Sequence, residues 1–344
     1  MKREAVLITG ANGEIGHGLI DYLQQKCDFD IIAMDIQPLD ESLSAYCHQF
    51  IQGNILDVKL LNDIANQYPI RTVYHLASLL STGAEKNPEL AHNVNVNGTF
   101  NLLKMADILG EKSGVATKFI YPSSIAAYGL PGITEKMSAG KVTEDQYISS
   151  TITMYGINKL YCENLGRYFM DYYGQIQPEG TRKNVDFRAV RFPGLISAIT
   201  LPTGGTTDYG PEMIHAAAQN KPYACFVRPD TQLPFMVMPD AIKSLIMLEA
   251  APRASLTQTV YNVTSFSPTA QELVNIVKGA FPDAQITYKV DESRQRFVDT
   301  WPVDIDDSAA RRDWGWAPEY DQDRAFYELL IPAVKQRYGT KIGH

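Results

Sequence analysis

A phenol and an ammonium group stand one helical turn apart in Tyr155-Gly-Ile-Asn-Lys159, so both face one side of a helix formed there. A tyrosine accepts a proton near neutrality only if its own, with an ordinary pKa of about 10, is made more acidic. A neighbouring ammonium does this, and Lys159 is the predicted source. Upstream, Tyr121-Pro-Ser-Ser124-Ile-Ala-Ala-Tyr128 offers the Ser124 hydroxyl as a donor to a substrate oxygen. Spacing alone decides nothing, because with 19 tyrosines in the chain such a pair arises by chance. It recurs at Tyr22 and Lys26, late in another predicted helix and away from the strand ends where open α/β sheets bind ligands, and there it reads as a solvated helix face.

The elements that must position this chemistry begin with Ile8-Thr-Gly10-Ala-Asn12-Gly13-Glu14-Ile15-Gly16, which joins a short apolar run to an amphipathic one. Glycine is needed at the first position for a tight turn, at the second for close approach of a pyrophosphate, and at the third for helix-to-sheet packing. The free N–H groups of the helix start then face an anion. Asp35 ends the next strand about twenty residues later, where a carboxylate accepts both hydroxyls of an adenosine ribose. The same charge repels a 2′-phosphate, so NAD is expected rather than NADP. Ile36 follows Asp35 at this edge, and Asn54-Ile55, after the third strand, is placed to touch adenine.

Short apolar runs at Ala5–Thr9, Asp30–Asp35, Gln49–Gln52, Thr72–Leu76, Lys118–Tyr121 and Val185–Phe192 predict strands. Helical periods fall at Ile15–Gln25, Lys59–Tyr68, Pro88–Leu109 and Thr151–Tyr173. This alternation implies a doubly wound parallel sheet, an α/β Rossmann arrangement. Residues 174–184 break both periods and read as an exposed loop. Beyond Pro193 the pattern is mixed, with helices near Pro211–Asn220, Pro239–Ala250, Pro268–Phe281 and Asp321–Gln336. The expected organisation is a nucleotide-binding domain over 1–192, joined by some later segments, and a smaller mixed α/β substrate lobe over 193–344.

Of 344 residues, 31 are Lys or Arg and 39 Asp or Glu, a formal net charge of -8. This argues against nucleic acid and anionic membrane as partners. No apolar stretch approaches the roughly 18 residues of a spanning helix. Four cysteines, Cys27, Cys47, Cys162 and Cys225, form no CxxC pair and no zinc spacing, so reduced thiols, no metal and a cytoplasmic setting are expected.

Taken together, Thr9-Gly10-x-x-Gly13-x-x-Gly16, Asp35, His75-Leu-Ala77, Asn95, Ser124, Tyr155-x-x-x-Lys159 and Arg191-Phe-Pro193-Gly resemble the extended short-chain dehydrogenase/reductases. The resemblance implies NAD held across the switch point of the sheet and hydride transfer assisted by Ser124, Tyr155 and Lys159. It also implies a cofactor wall of Leu76, Ala77, Ser78, Phe192, Pro193 and Leu195, and a proton-relay water held by Asn95 beside Lys159. Leu79-Leu-Ser81, Pro193-Gly194-Leu-Ile-Ser-Ala, Gly204-Gly-Thr206-Thr207-Asp-Tyr209, Trp301-Pro and Asp313-Trp-Gly-Trp316 resemble one branch of the superfamily, the short-chain-type L-threonine 3-dehydrogenases. For that branch the small-molecule substrate is L-threonine, oxidised at its Cβ hydroxyl. Its site would comprise Ser81, Ser124, Tyr155, Gly194, Thr206 and Thr207, with Trp301 either as an apolar wall or as core. The alternative is a nucleotide-sugar 4-epimerase that retains NAD, for which Arg294 and Arg296 would hold a second pyrophosphate. Glu14 departs from the neutral Gln common among relatives, and 135–150 and 174–184 depart from the pattern as well. Relatives dimerise through the helices near 91–110 and 151–173. Tyr161, Leu165, Tyr168 and Tyr172 would favour that contact, and the loop after them would obstruct it, so homodimer and monomer both remain open.

Overall fold

The computed structural model describes residues 3–26, 28–178, 180–198, 200–201 and 205–339. Seven strands form one parallel sheet: β1 (Ala5–Thr9), β2 (Asp30–Asp35), β3 (Gln49–Gln52), β4 (Ile70–His75), β5 (Thr117–Ser124), β6 (Val185–Phe192) and β7 (Val260–Asn262). Their order is β7-β6-β5-β4-β1-β2-β3, so the direction of winding reverses between β1 and β4. The central strands are buried because helices cover both faces; β1 and β6 have no exposed residue. The sixth predicted strand thus gains a neighbour, β7, too short to carry a period of its own.

Helices α1 (Glu14–Gln24), α2 (Val58–Gln67), α3 (Gly98–Ser113), α4 (Met154–Asp171), α5 (Tyr209–Ala218) and α6 (Met238–Ala250) are the main crossovers and covers. The single helix expected over Pro88–Leu109 is instead three pieces: one turn at Pro88–Ala91, a π-helical turn at His92–Asn97, and α3. The widened turn frees the Asn95 carbonyl, which accepts from the Thr99 hydroxyl (2.5 Å) and the Cys162 thiol (3.2 Å). In α4 the Thr153 side chain caps the first turn, accepting from the Gly156 amide at 3.1 Å. Gly156 lies so close to the strand-to-turn corner after β5 that a Cβ there would stand 1.9 Å from the Ala126 carbonyl oxygen. Contact this close fixes the helix carrying Tyr155 and Lys159 against the end of β5.

Segments after residue 192 divide. α6 packs Ala241, Ile242, Leu245 and Leu248 into the core on the α1 side of the sheet, and β7 extends that sheet. Ala309, Ala310, Trp314 and Trp316 join that same core, and most of what is left builds a second core around Tyr209, Phe235, Leu273, Trp301 and Phe326. Two-stranded parallel ladders, Gly194–Ile196 with Phe235–Val237 and Tyr223–Cys225 with Ile286–Tyr288, frame it. The stretch 135–150 contains a short helix, Ile133–Ser138, and Lys141–Val142, which pairs with Asp304–Ile305.

The loop after α4 is pinned down. Arg182 reaches Asp107 at 2.9 Å and Glu111 at 2.5 Å on α3, and Asn184 also bonds Asp107. Phe100, Lys104, Asp107 and Glu111 lie on one stripe of α3, so the loop lies across one end of the surface expected to mediate dimerisation. At the other end Phe100, and Tyr161 and Tyr168 on α4, remain exposed.

Candidate active site

The chemistry-bearing residues converge because parallel strands end on one edge. β1 runs into the glycine turn, β2 ends in Asp35, β4 leads into Leu76–Ser78, β5 ends in Ser124, and β6 ends in Phe192. At the reversal between β1 and β4, Gly10 takes φ +70°, and a Cβ there would stand 2.6 Å from the Ala77 amide nitrogen. A Cβ on Gly16 would stand 2.3 Å from the Ala11 carbonyl oxygen, so that glycine serves helix packing. Gly13 is exposed and meets only the Gly10 carbonyl, leaving its face open to a ligand. The Asp35 carboxylate accepts from the amides of Asn12 (3.0 Å) and Gln37 (2.9 Å), which fixes it beside the cradle. These features fit a dinucleotide: a glycine turn that only a side-chain-free residue can make, a helix N-terminus and a positioned carboxylate.

A cavity of about 310 Å3 runs from this turn to the second core. Of the residues expected at the site, Gly10, Gly13, Glu14, Ile15, Gly16, Leu76, Ser78, Ser81, Ser124, Tyr155, Lys159, Phe192, Pro193, Gly194, Leu195, Thr206, Thr207 and Trp301 all line it. Asn12, Asp35, Ile36 and Ala77 stand at the cradle beyond this cavity. Asn54 caps its own turn, accepting from the Leu56 amide, and the Ile55 side chain is buried beneath Gly98; neither lines the cavity. Asn95 is buried and holds the loop after β4, accepting from Leu79 N at 2.7 Å and Ser78 Oγ at 3.1 Å. Trp301 is at once cavity wall and core, at 3% exposure. Gly204 and Cys27 lie outside the described residues.

Lys159 donates to the Pro122 carbonyl at 2.7 Å, and its ammonium lies 5.4 Å from the Tyr155 ring centre. Burial pushes it down to about 8, against the pull of the neighbouring Cys162 and Glu163. Burial likewise raises the Tyr155 phenol above its ordinary value, with the Ser124 hydroxyl pulling the other way. Burial outweighs the Ser124 hydroxyl at Tyr155, and the Lys159 ammonium is directed at the Pro122 carbonyl. His75, between Thr9 (2.9 Å) and Thr99 (2.8 Å), is pushed by burial to about 3 and is neutral. Ser81 accepts from both Thr206 N (3.3 Å) and Thr206 Oγ1 (3.0 Å), tying the loop before α5 to the sheet edge.

Asp208 was not singled out by the sequence, yet it lines the same wall as Glu14, whose carboxyl is raised by burial and by the Asp208 charge. Its place beside Thr206-Thr207 was the available signal. Arg294 lies over the Phe226 ring at 4.3 Å and Arg296 near Phe297; neither lines the cavity. Among the described lining residues Lys159 is the one cation.

The sequence pattern of the NAD dependent epimerase/dehydratase family matches residues 6–264. The chain belongs to this family. Within it, the chain is 36% identical over 320 residues to the mitochondrial L-threonine 3-dehydrogenase of Bos taurus, covering 93% of this chain and 80% of the bovine one. It is 37% identical to the solved apo structure of a monomeric L-threonine 3-dehydrogenase from a metagenome, with a TM-score of 0.83 over 97% of this chain and 99% of that one. L-threonine 3-dehydrogenase from Trypanosoma brucei matches at 35% identity and a TM-score of 0.82, covering 98% of each chain. No described helix is long and apolar enough to cross a membrane, and no described cluster of His, Cys, Asp or Glu is placed to hold a metal.

Proposed function

We propose that this family member oxidises the Cβ hydroxyl of L-threonine to 2-amino-3-oxobutyrate with NAD. The observation that carries the reading is one cavity in which the glycine cradle, Ser124, Tyr155 and Lys159 share walls with Thr206, Thr207 and two carboxyl groups. A small amino acid needs an anion for its ammonium and hydroxyls or amides for its carboxylate. Asp208 and Glu14 supply the first, Thr206 and Thr207 the second. A second pyrophosphate, which a nucleotide-sugar epimerase must hold, would face this acidic wall with no arginine among the described lining residues. The names of relatives that align over nearly the whole chain support the same choice.

NAD, held by Gly10, Gly13, Gly16 and Asp35, supplies the hydride acceptor when bound. Asp35, with its two backbone donors, is the reason to expect NAD over NADP. Tyr155 takes the proton from the substrate hydroxyl, Ser124 donates to the same oxygen and holds it in place, and the Lys159 ammonium stabilises the phenolate. Losing that proton from oxygen and a hydride from Cβ leaves a ketone, so the atoms balance without a metal. Phe192, Pro193 and Trp301 exclude water from the reacting carbon.

The enzyme is also proposed to work as a monomer in a reducing, cytoplasmic setting. The Arg182 loop across α3 and the free thiols Cys47, Cys162 and Cys225 support this. The division at residue 192, with α6 and β7 rejoining the first domain, is proposed as the unit of lobe closure. Incubating the protein with NAD and L-threonine is expected to accumulate NADH steadily; no NADH, with turnover of a UDP-sugar, would reverse the assignment. Light scattering at working concentration checks the mass: a species of twice 38.3 kDa would refute the monomer.

A further inference from the structure

Beneath the cavity floor a buried ion pair sits where three elements carrying the site meet. Glu163, on α4 one turn beyond Lys159, accepts from Arg191 Nε at 2.9 Å and Arg191 Nη2 at 2.7 Å, and from the Ser123 hydroxyl at 2.5 Å. Both side chains of the pair are under 5% exposed. Ser123 precedes Ser124 at the end of β5, and Arg191 precedes Phe192 at the end of β6. Arg191 is held further by the Glu144 carbonyl (2.7 Å) and by the Tyr128 ring, 4.7 Å from its guanidinium carbon. Tyr128 in turn donates to Asn262 at 2.7 Å.

Two bonds thus tie α4 to adjacent residues of β5: Lys159 to the Pro122 carbonyl, and Ser123 to Glu163. The Lys159 ammonium touches the Pro122 carbonyl and stands 4.6 Å from the centre of the Tyr121 ring and 5.4 Å from that of Tyr155; the charges that act on it are those of Cys162 and Glu163 on its own helix, Glu163 lying one turn on, and His75 on β4 is neutral. Glu163 is the one carboxylate among them.

We propose that Glu163 is a positioning residue for the oxidation: clamped by Ser123 and Arg191, its carboxylate is the fixed counter-charge that keeps Lys159 an ammonium and holds α4 in register with Ser124. A buried lysine loses its proton readily unless an opposite charge stands near. A neutral Lys159 cannot stabilise the Tyr155 phenolate, so the charge acts on the base through the lysine. The inference rests on the reading of Tyr155 as the base.

Glu163→Gln keeps the shape and the acceptor oxygen while removing the charge. The test reads the phenolate absorbance of Tyr155 against pH with NAD present, as the difference between each protein and its Tyr155→Phe counterpart. Thermal unfolding and NAD affinity establish that each variant is folded. The expected result is a Tyr155 titration moved upward by about one pH unit. The acid limb of kcat should move with it, so that kcat falls about tenfold at neutral pH and recovers in alkali, with KM for NAD unchanged. A folded Glu163→Gln protein whose titration and pH profile match the wild type overturns the proposal. Should that variant not fold, Ser123→Ala carries the test, since it loosens the clamp and keeps the charge. Its titration is expected to stay within about 0.3 pH unit while kcat falls severalfold; wild-type kcat, or a titration displaced upward, overturns the proposal equally. Because the absorbance titration uses no substrate, failure to oxidise L-threonine strikes the proposed function alone.

Discussion

Just past the end of α1 the Lys26 ammonium lies 5.2 Å from the centre of the Tyr22 ring; in α4 the Lys159 ammonium lies 5.4 Å from that of Tyr155. The spacing in sequence is the same and the geometry nearly so. What differs is the place of each pair along its helix. α1 starts at the carboxyl end of β1 and runs back alongside the sheet, so its last turn, with Tyr22 and with Lys26 just beyond it, ends far from the cradle. α4 begins at the edge where β5 ends, so its first turn delivers Tyr155 to the cavity and its second delivers Lys159. Lys26 is exposed, whereas Lys159 is 4% exposed with a carbonyl acceptor and a carboxylate a turn away. On the proposed reading, a tyrosine-lysine pair becomes an acid-base device through sheet polarity and a dry, charged surround.

The sharpest way to break this comparison is to delete both phenol hydroxyls. Tyr155→Phe is expected to lower kcat by about 10²–10⁴-fold, the usual contribution of a positioned general base, while NAD affinity measured by calorimetry stays within about twofold. Tyr22→Phe should leave kcat and KM as they are. Parallel loss of turnover and NAD binding in Tyr155→Phe would mean that the residue supports architecture and not proton transfer.

The two lysines should also part in their effect on stability. Burial holds Lys159 near 8 in the folded protein, below its unfolded value near 10.5. Between those values the unfolded chain binds more protons than the folded one, so stability rises with pH across the window and is lowest below it. Relative to Lys159→Met, the wild type should gain about 2 kcal/mol between pH 8 and 10, read from urea midpoints. Lys26→Met should show no such slope. A flat difference for Lys159 would place its ammonium in contact with water.

How much of this was legible follows the range of the interactions. The cradle and six strands of the sheet could be read because their signals are local: glycine where a Cβ would strike Ala77 or Ala11, and apolar runs where helices cover both faces. Val260–Asn262 and the ladders of the second core are three residues each, too short for a period to show. The π-helical turn at His92–Asn97 was hidden because the turns on either side are helical and a single widened turn leaves no period of its own. Glu163 and Arg191 stand 28 positions apart, and neither residue type announces a buried partner. Lys159 was legible in identity but not in state, because burial sets that state and only folding buries it against Pro122.

A smaller effect sharpens the comparison on the substrate side, between a hydroxyl that does chemistry and one that holds a wall. Ser124 and Ser81 both line the cavity, but Ser81 spends its oxygen on Thr206 N and Oγ1, and Thr206 is 3% exposed. Ser81→Ala removes two acceptances from a partly desolvated loop, worth about 1 kcal/mol in net terms. KM for L-threonine should rise about fivefold, with kcat and KM for NAD unchanged, because Thr206 still reaches the cavity but is no longer held there. Ser124→Ala should instead lower kcat, since its hydroxyl meets the oxygen on which charge develops. If Ser81→Ala lowered kcat at constant KM, the Thr206 loop would act in the transition state, and the line drawn here between the reacting strand ends and the supporting loop would have to move.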